Sequence, residues 1–399
     1  MLRSRQLPPT VALKTPRYPA IPLLSVLCIP RQPPLPSSEL VTSPLFRGFD
    51  RKNKLIKFAE FAKNSIKLIH CNYALPIMNP NRRTAKPQPV SGEAAMNDLI
   101  DFAELKAAGL LPSPTRDTLE LMQLCQSGDD DTGPLLDRIA DVPALDYAVR
   151  ALAGQNGREG TLAEALNTVG AFPTSQLALA LDLLHQHRRG ACADFNYTRY
   201  WSHAFAMACA AQALTSEMPV ASGPELFCQG LLAGIGSLGL ANARPRSYAK
   251  LLRDCREAPV STLLRRESAL YGYSHLSMGA ALLRSWRLGH IYSDAVLCQE
   301  APHMATDRHT RHLARLLQLA SCMAGLYLAQ PGERKALVAE MAATSSRLQL
   351  DTRVLLDIVD VANGNWRQWC NALDLQEHLP LAMQTAPVAT IPTTAAAAA

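Results

Sequence analysis

The 399 residues are enough to bury a substantial apolar core, and a composition of 48% hydrophobic and 19% charged residues is that of an ordinary globular protein. Aromatic residues at 6%, against abundant Ala and Leu, favour helices over sheet sandwiches. The net charge of +6 resides at one end: residues 1–95 carry 15 Lys+Arg against 4 Asp+Glu, whereas residues 96–399 carry 25 against 30. The body therefore lacks the basic footprint of a duplex-binding protein, and no nucleic-acid partner is expected.

In chain order, residues 1–95 hold 14 of the 28 prolines, and the run Pro33-Pro34-Leu35-Pro36 interrupts any helix or central strand. This segment is expected to be disordered. Asp50 to Leu75 has helix-like spacing but stands alone, and Met96, which opens the first globular stretch, is expected to be the physiological start.

From Leu99 onward the spacing is helical almost without relief. Helices are predicted over Thr115 to Cys125, Leu135 to Leu152, Leu162 to Val169, Thr174 to His187, Tyr197 to Leu214 and Pro224 to Leu240. They continue over Ser247 to Arg253, Ser261 to Tyr271, Leu276 to Trp286, Tyr292 to Gln299, Arg308 to Leu328, Glu333 to Ala343 and Thr352 to Leu373. The Ala-rich tail 380–399 is low-complexity and expected to be unfolded. No stretch reaches the roughly 18 to 20 apolar residues of a membrane-spanning helix. The ten cysteines form no Cys-x-x-Cys pair and lie mostly in apolar runs, which favours reduced thiols and a cytoplasmic location.

Several segments combine in an ordered pattern. Trp201-Ser202-His203 lies mid-helix, Gly230-Leu-Leu-Ala233-Gly234-Ile-Gly236 follows about thirty residues later, and Glu267 to Trp286 contains Tyr271-Gly272-Tyr273-Ser-His275. Upstream stand Asp141-Val-Pro143 and Thr161-Leu-Ala-Glu-Ala-Leu-Asn-Thr-Val-Gly170. In this order the chain resembles the HDOD family, non-catalytic relatives of the HD and HD-GYP phosphohydrolases, from about Leu105 to Leu328.

The resemblance implies an all-α, HD-domain-like helical bundle over 99–330, with a helical extension over 333–375. It also implies a role in bacterial signal transduction through contact with a signalling protein. In working HD enzymes an adjacent His-Asp pair after Gly-Leu-Leu binds the metal that activates water. Here that position reads Ala233-Gly234, and neither residue can ligate. The vestigial pocket candidates are His203, Ala233, Gly234, Glu267 and His275, and neither catalysis, metal nor cofactor is expected.

Two alternatives stay open: a degenerate metal-dependent phosphohydrolase using His203, Glu267 and His275, and a pocket that holds a nucleotide or cyclic dinucleotide without turnover. The candidates for partner binding are Trp366 and Trp369, three apart in the last helix and equally suited to cap that helix within the same domain, and the basic stripe Arg308, Arg311 and Arg315. The glycines 230, 234, 236 and 239 read as close helix approaches, since no phosphate-loop Lys-Ser/Thr follows them.

Overall fold

The computed structural model describes residues 102–127, 132–154, 160–256, 258–330 and 332–375, apart from the Ser127 side chain. The expectations for residues 1–95 and 380–399, Met96 included, fall outside these residues. The described chain is helical throughout, with no strand among the described residues.

Following a helical segment at 102–107, fifteen α-helices can be numbered among the described residues. They are α1 Arg116–Ser127, α2 Gly133–Ala140, α3 Pro143–Leu152, α4 Leu162–Val169 and α5 Ala171–Gln186. Next come α6 Tyr197–Ala213, α7 Gly223–Leu232, α8 Ile235–Ala243, α9 Pro245–Asp254 and α10 Val260–Tyr271. The chain continues through α11 His275–Ser285, α12 His290–Leu297, α13 Arg308–Leu328, α14 Arg334–Arg347 and α15 Thr352–Ala372.

Two predicted helices are each two. Leu135 to Leu152 breaks at Asp141-Val142, because Pro143 forces the preceding residue into extended backbone and then starts α3 at its first position. Pro224 to Leu240 breaks at Ala233-Gly234, between α7 and α8. Taken together, Gly223–Ala243 is long and apolar enough to cross a membrane, yet 83% of its apolar window is buried inside the chain. The break leaves helices of ten and nine residues, each about half the length a span requires, so this run is core.

The centre of the fold is α6. Its run of small residues, Ala204, Ala206, Ala208, Ala210 and Ala211, is buried, and α7, α13 and α15 pack around it. Small side chains let the axes come close: a Cβ on Gly230 of α7 would lie 2.8 Å from the Met207 carbonyl oxygen. The larger side chains Trp201, Phe205 and Met207 fill the remaining space, and each contributes roughly 1.5–3 kcal/mol by its burial.

A second close crossing joins α8 to α11. A Cβ on Gly236 would stand 1.8 Å from the His275 carbonyl oxygen and 2.5 Å from the Gly279 nitrogen, so only glycine permits this approach. All eight cysteines among the described residues are unpaired thiols; Cys28 and Cys71 lie outside them.

Candidate functional site

His203 sits in the second turn of α6, a helix opened by Asn196, whose side chain accepts from the Arg199 backbone N–H at 2.9 Å. Its neighbour Trp201 is buried and donates its indole N–H to the His187 carbonyl at 3.0 Å, which fixes the rotation of this part of the helix. The His203 ring is half-buried and makes no hydrogen bond or ion pair. Burial pushes its pKa down to about 4, and the nearby Arg199 guanidinium pushes in the same direction. The imidazole is thus neutral at physiological pH.

Ala233 and Gly234 form the junction between α7 and α8. Ala233 is buried, and a Cβ on Gly234 would meet the Tyr200 ring at 3.7 Å, an ordinary van der Waals contact. Gly234 is therefore not one of the tight helix crossings, unlike Gly230, Gly236 and Gly239. The Tyr200 hydroxyl is buried without a hydrogen-bond partner, and burial pushes its pKa well above the ordinary value. A methyl, a hydrogen and an aromatic ring thus surround the position of the HD dyad. Among the described residues no three His, Cys, Asp or Glu side chains converge in a way that could hold a metal ion.

Glu267 and His275 meet in a different arrangement. Helix α10 ends at Gly272, whose left-handed backbone (φ 85°) turns the chain so that Ser274 can start α11. The turn brings the carboxylate of Glu267, fully buried in α10, onto the first turn of α11. There it accepts the His275 backbone N–H at 2.8 Å and the His275 ring Nδ1–H at 2.7 and 2.9 Å. The Tyr248 hydroxyl donates to the same carboxylate at 3.2 Å. A carboxylate partner calls for the donor N–H at Nδ1, and the Glu267 side chain lies at the N-terminal, positive end of a helix. Three donors thus engage the carboxylate, and no hydrogen bond or ion pair joins His203 to either residue.

Tyr248 was not legible as part of this site, since a tyrosine nineteen residues before Glu267 carries no spacing signal. An open groove between α1 and α2, lined by Glu120, Gln123, Leu124, Pro134, Asp137 and Arg138, shares no residue with these positions.

Residues 145–302 match the family model of the HDOD domain. This region is an HDOD domain. In fold, the chain is similar to a candidate phosphohydrolase from Shewanella amazonensis SB2B, with a TM-score of 0.52 and 20% identity over 71% of this chain and 98% of that one. An HDOD domain protein of unknown function from Geobacter sulfurreducens matches with a TM-score of 0.47 and 14% identity, over 68% and 99% of the two chains. The MmoQ response regulator from Methylococcus capsulatus str. Bath matches with a TM-score of 0.36 and 29% identity, over 60% and 98%. No curated protein matches the sequence.

The HDOD match encloses His203, Ala233, Gly234, Glu267 and His275, whereas the partner-binding candidates lie beyond its C-terminal end. For the tryptophans the structure selects docking within the chain over a partner. Trp366 is fully buried, donates its indole N–H to the Ser202 carbonyl at 2.9 Å and stacks on Tyr327 at 5.4 Å. Trp369, also buried, packs against Phe205 at 5.4 Å and Phe227 at 5.2 Å. Both rings are consumed in docking α15 onto the HDOD domain, so neither is open to a partner. The arginine stripe is different: Arg308 is exposed, and Arg311 and Arg315 are half-buried along the first turns of α13.

Proposed function

We propose that this chain is a non-catalytic regulatory protein of bacterial signal transduction, working in the cytoplasm through contacts with a signalling protein. The observation that carries the proposal is the chemistry at Ala233-Gly234. A hydrolytic HD centre requires ligands that converge on a cation and a water activated by it, and the dyad position offers a methyl and a hydrogen, with the Tyr200 ring near Gly234. Two further features support it. The Glu267 carboxylate is engaged by the His275 ring and by the start of α11, and no hydrogen bond or ion pair joins His203 to either residue.

The test is an affinity pull-down from cells that naturally express the chain, paired with calorimetry on the purified chain. A saturable protein partner and no heat of binding from cyclic dinucleotides are expected. Stoichiometric dinucleotide binding would replace this reading with that of a ligand-binding pocket.

A further inference from the structure

Helix α13 has a sharp division between its two sides. Thr310, Leu313, Ala314 and Leu317 point into the core and are buried, while Arg308, Arg311 and Arg315 follow the opposite side at i, i+3 and i+7. The placement is electrostatically adverse, because the N-terminal end of a helix carries partial positive charge and favours acidic side chains. The one acid at this end, Asp307, is spent as the cap and accepts from the Thr310 N–H at 2.8 Å. Among the described residues no carboxylate forms an ion pair with any of the three arginines. Burial, and then Arg308 and Arg315 ahead of the other basic neighbours, holds the His312 imidazole below its ordinary value.

An apolar side chain adjoins the stripe. Met304, at the end of the short 3-10 turn Pro302–Met304, is 67% exposed, the highest value among the large hydrophobic side chains of the described residues. The turn is tied to α13 by Arg311, which donates to the Ala305 carbonyl at 2.8 Å. Uncompensated cations at a helix start oppose local stability, and such local conflicts are characteristic of functional surfaces. Arginine and methionine together are enriched in protein interfaces, and the guanidinium fork matches a carboxylate.

We propose that Arg308, Arg311 and Arg315, with Met304 beside them, are the docking surface for an acidic protein segment. The segment carries carboxylates over about 10 Å, the axial rise of the stripe, next to one apolar side chain. This rests on the contact-mediated function above and names the face and the partner chemistry. A protein fits better than a nucleic acid: the stripe is short, it ends on an apolar side chain, and residues 96–399 hold more acidic than basic residues.

The test uses the full chain and three fluorescent probes: a synthetic helical peptide with glutamates at i, i+3 and i+7 flanked by a leucine, its glutamine analogue, and a short DNA duplex. The glutamate peptide is expected to bind best, and Arg308→Glu/Arg315→Glu to weaken it at least about tenfold with an unchanged helical spectrum. Arg308→Gln/Arg315→Gln, which removes charge without reversing it, is expected to give a smaller loss. Equal binding of the two peptides, tighter binding of the duplex, or no loss in both variants overturns the proposal. A partner captured equally well by the wild-type and charge-reversed chains overturns this surface while contact-mediated regulation stands. Failure of the wild-type chain to retain any partner counts against that broader reading, and the peptide comparison still decides the surface.

Discussion

Glu267 has no exposed surface, and its two oxygens receive the His275 backbone, the His275 ring and the Tyr248 hydroxyl. Removing it leaves the buried Tyr248 hydroxyl and two part-buried His275 donors without this acceptor, so Glu267→Ala is expected to destabilise the fold by about 3 kcal/mol in urea unfolding. Two glycines two positions apart give opposite expectations. Gly236→Ala drives a Cβ into the His275 carbonyl, and backbone cannot yield as a side-chain tip can, so a loss of about 3 kcal/mol or more is expected. Gly234→Ala meets only a ring at 3.7 Å and is expected to stay within about 0.5 kcal/mol of the wild type in the same assay. His203 sets a pH dependence. Its imidazole protonates near 6.5 in the unfolded chain but only near 4 in the fold, so the unfolded chain binds the proton first. The contribution is complete above about pH 6.5 and is lost as the pH falls toward 4. Discounted for the partly exposed ring, the loss is about 1–2 kcal/mol. Unfolding curves of His203→Gln are expected to be flatter than wild type by that amount over this window, and parallel curves would refute the assignment.

At the scale of elements, α15 is held by two aromatic side chains whose loss should be felt as a whole. Trp366→Ala or Trp369→Ala is expected to cost about 3–5 kcal/mol, read as a fall in the thermal midpoint together with faster proteolysis within α15. Helical spacing reached every numbered helix, although α5 and α8 are buried on nearly all sides and have no single core-facing stripe. It did not separate the two broken helices. The break before Pro143 was readable, since a proline restrains the residue ahead of it. The break at Ala233-Gly234 was not, because a glycine within a helical pattern is a weak signal and the turn there serves a distant contact, the seating of Gly236 on α11. The tryptophans mark a similar boundary. Two rings on one helix face announce burial, but spacing alone does not say whether the surface that buries them belongs to the same chain.

For the whole molecule, the HDOD domain and α15 form a packed arrangement around α6, with Ala233 buried, the Tyr200 ring near Gly234 and Glu267 capping α11. The ordered motifs made the family legible, and the missing dyad was visible as two letters. The ring beside it was not, because Tyr200 lies over thirty residues away in α6 and nears Gly234 only through the helix crossing. On this account the scaffold keeps the shape of a hydrolase and turns it to contact. The direct measurement is hydrolysis by the purified full chain with Mn²⁺, using nucleotides and cyclic dinucleotides as substrates and His203→Ala as the control. The account predicts product formation no faster than in buffer for either protein. Turnover by the wild type that disappears in His203→Ala would contradict it.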